Sequence, residues 1–137
     1  MTKSIEPQIN ACFVISGNDF DTDSCTNAIG ISPTKIWRQA HEELKHHKDI
    51  DNTNWIIETG KLKMYSINDV LNTLLNTLRP YEAKIRNYLL ESGLQGSFTC
   101  FVTIYYDRPA YELSSEVMQK MAFFNCDFGM DIYDYSE

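Results

Sequence analysis

At 137 residues, with 43% hydrophobic and 12% aromatic content, the chain has the composition of one globular domain that can bury a core without staples, and wholesale disorder is excluded. Nineteen acidic against twelve basic residues give a formal net charge of −7. That balance argues against nucleic acid and anionic membrane as partners, because both demand a basic footprint.

No run of about 18 apolar residues occurs, so no membrane span is expected. The opening M-T-K-S-I-E-P-Q-I-N lacks the apolar region and cleavage site of a signal peptide, which makes a cytoplasmic location the expectation. Cys12, Cys25, Cys100 and Cys126 show no C-x-x-C spacing, so free, mostly buried thiols are expected.

Residues 1–9 are polar and contain Pro7, and read as a loose lead-in to one domain spanning 1–137. Ala11 to Ser16, A-C-F-V-I-S, is a short apolar run closed by Gly17 and reads as a first, buried strand. Asp19, Asp21 and Asp23 then have the alternate-acid spacing of a calcium loop. With Asp19 as the first position, however, the sixth is Ser24 and the twelfth Gly30, where such a loop needs a glycine and a bidentate glutamate. The better reading is that Asp21, Thr22 or Asp23 caps a short helix ended by Gly30, with Pro33 following.

Lys35 to Gln39 carries Ile36 and Trp37 back toward the sheet. Arg38 to His46 reads as a short solvated helix, and Lys48 to Asn54 as a loop. His41, His46 and His47 fall here at spacings that put no two on one helical face, so no metal site is expected. Asn54 to Thr59, N-W-I-I-E-T, is the second strand, and Gly60 with K-L-K-M-Y a connection.

Ser66 and Asp69 have capping-box spacing, and Ile67, Val70, Leu71, Leu74, Leu75 and Leu78 mark one face of a helix. Pro80 kinks or restarts it; Tyr81, Ile85, Tyr88 and Leu89 extend the stripe to a stop at Gly93. Phe98 to Tyr106 is the third strand. Ser114 or Ser115 caps a helix carrying Val117, Met118, Met121, Ala122 and Phe124, which Asn125 ends. Cys126 to Tyr135, C-D-F-G-M-D-I-Y-D-Y, is the last strand.

Period-two alternation divides the last two strands by face. Phe98, Cys100, Val102, Ile104 and Tyr106 share one side of the third strand, and Cys126, Phe128, Met130 and Ile132 one side of the last; both sets are expected in the core. Thr99, Phe101, Thr103 and Tyr105, with Asp127, Gly129, Asp131 and Tyr133, are expected on an open face. The order is strand–helix–strand, a long kinked helix, then strand–helix–strand. It predicts an α+β fold: a ferredoxin-like two-layer sandwich with a mainly antiparallel sheet and its helices on one face.

The runs F-V-I-S-G-N-D-F-D, A-I-G-I-S-P-T with a tryptophan just after it, W-I-I-E-T and the closing D-I-Y resemble the bacterial domain-of-unknown-function family 4279 over Phe13 to Tyr133. The family brings no established activity or catalytic residue. The resemblance implies a small intracellular bacterial protein, and small acidic proteins of this kind are associated with toxin immunity.

No G-x-S-x-G, P-loop, H-E-x-x-H or Rossmann fingerprint is present, and Asp127 and Asp131, roughly 13 Å apart along one strand, are too distant for a glycosidase pair. No catalytic residue, cofactor or metal is therefore expected. An RNA-binding sheet of the RRM kind is disfavoured because those aspartates would share the face with Phe101 and Tyr105 and repel phosphate. The expectation is a non-enzymatic protein-binding module: a cytoplasmic immunity protein that blocks a cognate, basic nuclease toxin stoichiometrically. Its partner-binding residues are Phe101, Tyr105, Asp127, Asp131, Tyr133 and Asp134, with Asp19 and Asp21 at a loop edge. The alternatives are a small enzyme or ligand-binding protein, or a homo-oligomeric structural protein.

Overall fold

A computed structural model describes residues 5–39 and 52–136. The elements run β1 (Gln8–Asn18), α1 (Thr22–Ile29), β2 (Lys35–Gln39), β3 (Asn52–Glu58), β4 (Leu62–Lys63), α2 (Ile67–Leu78), a 3-10 turn (Arg79–Tyr81), α3 (Glu82–Ser92), β5 (Gln95–Ile104), α4 (Ser115–Phe123) and β6 (Asp127–Asp134). They form an α+β fold around one open, mostly antiparallel six-stranded sheet. Its main path is β2-β3-β1-β5-β6, and β4 pairs with the start of β1. Among the described residues only the β5–β6 strand pair is parallel, which requires a crossover, and α4 supplies it.

The four α-helices among the described residues lie on one face. Ile9, Ala11, Phe13 and Ile15 of β1 join Phe98, Cys100, Val102 and Ile104 of β5 in one core with residues of α1, α2, α3 and α4. Its centre is an aromatic triangle: the Phe13 ring lies 5.2 Å from Phe98 and 5.9 Å from Phe124, and Phe98 lies 5.6 Å from Phe124. The leucine stripe of α2 is buried as its period predicts, and the Ser66 hydroxyl caps that helix by accepting from the Asp69 N–H at 3.2 Å. Asp21 caps α1, accepting from Asp23 and Ser24 N–H groups. Gly30 and Gly93 close α1 and α3 with positive φ, and Asn125 does so after α4. The interruption at Pro80 is the 3-10 turn between α2 and α3.

Several expectations need correction. The lead-in is shorter than nine residues: β1 starts at Gln8, and Ile9 is fully buried between β4 and β5. Lys35–Gln39 is an edge strand, so Arg38 begins no helix; the remainder of that proposed helix, with His41, His46 and His47, lies outside the described residues. Residues 52–54 belong to β3 rather than to a loop, and Leu62–Lys63 is a two-residue strand within the expected connection.

The face assignment of β6 also changes. Phe128 packs against the core, but Met130 and Ile132 are 42% and 46% exposed. The cause is the position of α4. It packs on α2 and drives Phe124 between Phe13 and Phe98, over the sheet centre, so the helical layer stops short of β6. Phe98→Ala should therefore cost about 3–5 kcal/mol in urea denaturation, whereas Met130→Ala should cost less than about 1 kcal/mol.

Candidate functional site

The face of the sheet opposite the helices is uncovered among the described residues. Strand register arranges it in rows. Trp37, Asn54, Ser16 and Gln95 form one; Lys35, Ile56, Val14, Ser97 and Asp127 the next; then Glu58, Cys12, Thr99 and Gly129; then Asn10, Phe101 and Asp131; and last Lys63, Gln8, Thr103 and Tyr133. A groove of about 690 Å3 crosses this face diagonally, from Trp37 at the β2 edge to Tyr105, Tyr133 and Tyr135 at the opposite corner.

The groove has aromatic ends and a polar middle. Trp37 is 51% exposed although it sits in a strand. The Tyr105 and Tyr135 rings stack at 6.1 Å, and the Tyr133 hydroxyl donates to Asp131 at 3.1 Å, which raises the Tyr133 pKa above its ordinary value. In the middle, the Glu58 carboxylate accepts from Asn10 Nδ2 at 3.0 Å and from the Cys12 thiol at 3.5 Å, and it pairs with Lys35 Nζ at 3.5 Å. Burial alone would push the Glu58 pKa up. The Asn10 bond, the Lys35 charge and the Cys12 bond together outweigh it and hold the carboxyl below its ordinary value. Burial, reinforced by Glu58, pushes the Cys12 thiol up to about 12, so it stays protonated and is no nucleophile at neutral pH.

Of the residues expected to contact a partner, Phe101, Tyr105, Asp131 and Tyr133 come together at the β5–β6 side of the groove. Asp127 shares the face two rows away, where it accepts from Gln95 Nε2 at 3.3 Å. Asp134 points to the helix side and pairs with Arg108 at 2.7 Å. Asp19 and Asp21 lie beyond the end of β1; Asp19 pairs with Arg38 at 2.9 Å and Asp21 is the α1 cap, so both carboxylates already have structural partners.

The groove holds residues that the sequence reading assigned to no site: Asn10, Cys12, Lys35 and Glu58 in its middle and Trp37 at one end. The available signal was the period of W-I-I-E-T. With Trp55 and Ile57 inward, Ile56 and Glu58 must face outward beside the even residues of β1.

Fold and groove define an open-faced α+β sheet protein with a helical layer on one side and a mixed aromatic and polar cleft on the other. The chain belongs to the family described as domain of unknown function DUF4279, which matches residues 7–135. No curated protein and no solved structure matches it.

Two outcomes follow from this chemistry. Burial raises all four thiols to about 12, so a thiol-reactive disulfide reagent should label the native chain slowly at mildly alkaline pH and label every cysteine promptly after unfolding. Because the Glu58 pKa is depressed on folding, its stabilisation is present above the ordinary glutamate value of 4.5 and is lost as pH falls through the lower folded value. Glu58→Gln should destabilise the protein at neutral pH by about 1 kcal/mol, and acid titration by circular dichroism should show that difference shrinking below pH 4.5.

Proposed function

We propose that this chain is a non-enzymatic protein-binding module, located in the cytoplasm, that holds its partner on the open sheet face. The observation that carries the reading is the exposure of Trp37, Tyr133 and Tyr135 around an uncovered groove on a sheet whose other face carries the helical core. Aromatic side chains around a concavity are the usual anchors of a protein interface, since they bury much area for little lost conformational freedom.

The fold is read here as a ferredoxin-like core, β1-α1-β2-β3-(α2, α3)-β5, extended by α4 and β6. The strand order β2-β3-β1-β5 and its antiparallel pairing support that reading. The specific role proposed is toxin immunity: stoichiometric blockade of a basic toxin, with a nuclease as the natural class because its own site must bind phosphate. The net charge of −7 and two acids on β6, Asp131 near the aromatic end of the groove and Asp127 two rows along the same strand, support a basic partner by steering its approach. A second reading, a small-ligand site, draws on the groove itself, whose volume of about 690 Å3 lies within the range of such sites.

The test is co-expression with the product of the adjacent upstream gene. Rescue of growth and recovery of a one-to-one complex are expected. An adjacent product that is neither toxic nor bound would overturn the immunity role. Within such a complex, Trp37→Ala and Phe101→Ala should each weaken binding about tenfold or more without changing the circular dichroism spectrum. Asp127→Lys combined with Asp131→Lys should chiefly slow association, with the loss fading at high salt. Unchanged affinity in the two aromatic variants would remove the open face from the interface.

A further inference from the structure

We infer that the outer edge of β6 is a strand-addition site for an extended partner segment that alternates basic and apolar residues. The inference rests on the protein-binding reading and adds the local chemistry of the partner.

β6 ends the sheet, and among the described residues nothing pairs with its outer side. The direction of its free groups follows from one bond. The Tyr135 N–H donates inward to the Ile104 carbonyl at 2.8 Å, in parallel register with Ile104 opposite Asp134. Backbone groups alternate in direction along a strand, so the N–H and C=O of Phe128, Met130, Ile132 and Asp134 point outward. An eight-residue strand with an unpaired row of donors and acceptors is a template for another strand.

Natural edges are blunted by proline, charged side chains, a bulge or a covering element, and the aspartates of β6 discourage an acidic strand but not a basic one. The segment D-F-G-M-D-I-Y-D contains no proline and no lysine, and α4 lies too far toward the sheet centre to cover it.

The side chains define what would fit. On the helix side, Met130 and Ile132 stand 42% and 46% exposed and call for apolar cross-strand neighbours. On the open side, Asp127 and Asp131 call for lysine or arginine. Asp134 adds no free charge, because it is paired with Arg108. A strand that alternates basic and apolar residues satisfies both sides at once.

A second copy of the chain does so less well. Antiparallel pairing of two β6 strands about Gly129 sets Asp127 against Asp131 twice on one face, pairing about Asp131 opposes two identical carboxylates, and pairing about Met130 sets Asp127 against Tyr133 and Asp131 against Gly129, so that in none of these registers does an aspartate meet a base.

The probe is a capped peptide alternating lysine and valine, matched in length to the eight residues of β6, titrated into the full chain and followed by amide chemical shifts. Binding at or below about millimolar Kd is expected, with the largest shifts at the amides of Phe128, Met130 and Ile132, and with weakening as salt rises. A glutamate–valine peptide and a lysine–valine peptide methylated on alternate backbone nitrogens should not bind.

Met130→Pro removes an outward N–H that the fold does not use, a place where edge strands tolerate proline. It should abolish binding while leaving the spectrum of the core intact. Asp127→Lys with Asp131→Lys, which needs no backbone change, should weaken binding about tenfold or more.

Absence of binding at millimolar peptide would overturn the inference, as would self-association through β6 seen by sedimentation. Shifts confined to the groove around Trp37 and Phe101, with the β6 variants silent, would overturn it while leaving the open-face reading standing. Failure of that reading is detected separately, by an unaffected Trp37→Ala complex.

Discussion

The period-two alternation of β1 is the constraint on which the rest of the molecule depends. β1 is the middle strand of the sheet, hydrogen-bonded along its length to β5 on one side and to β3 and β4 on the other. Its odd residues, Ile9 to Ile15, are fully buried against the helices, while its even residues, Gln8 to Ser16, form the floor of the open face. A register slip of one residue would exchange these sets, burying Gln8, Asn10 and Ser16 and exposing Phe13. The aromatic triangle of Phe13, Phe98 and Phe124 opposes that slip, since all three rings pack only when β1, β5 and α4 are in their present register. Core packing on one side thus fixes which chemistry is displayed on the other.

What could be read from the residues before the structure divides along the same line. α2 was legible because its apolar stripe, its Ser66 cap and the break at Pro80 agree with one another. β5 was legible from Phe98 to Ile104 because it is buried on one face there and its alternation is clean, whereas Tyr106, expected on the same buried side, lies past the end of the strand and is exposed. β2 was not recognised as a strand, since it lies at an edge where Lys35, Ile36, Trp37 and Arg38 are all exposed and offer no buried set to alternate. Met130 and Ile132 were placed in the core because period two identifies residues that share a face; whether a helix reaches far enough to cover that face is decided by the packing of α4. Glu58 was overlooked because W-I-I-E-T scans as one apolar run, and its role emerges only when Asn10, Cys12 and Lys35 arrive from two other strands.

The central cluster bears on chemistry as well as shape. A cysteine beside a carboxylate on a sheet face has the look of a catalytic pair, yet the physical effect runs the other way. A neighbouring anion and burial both disfavour the thiolate, and the thiol donates to Glu58 rather than being activated by it. Glu58 is itself held ionised by Asn10, Lys35 and Cys12, so it is poorly placed to take up a proton near neutrality. The cluster is better understood as a set of mutually satisfied polar groups that keeps the floor of the groove rigid and free of orphaned donors.

Charge on the open face is arranged rather than uniform. The chain as a whole is acidic, but Lys35 and Lys63 lie in the rows on the β2–β3–β4 side, and Lys61 lines the groove there. Asp127 and Asp131, hydrogen-bonded to Gln95 and Tyr133 respectively, lie on β6 at the opposite margin. With Lys35 partly neutralised by Glu58, the face carries a basic margin, a neutral polar floor and an acidic margin. A uniformly acidic surface would attract any basic partner in any orientation. Opposite charges at the two ends of a groove instead set the direction in which a partner can lie, because reversing it places like charges together at both margins. In the proposed complex the net charge of −7 therefore contributes to the rate of encounter, whereas the polarity across the sheet, together with the aromatic anchors at its corners, determines orientation.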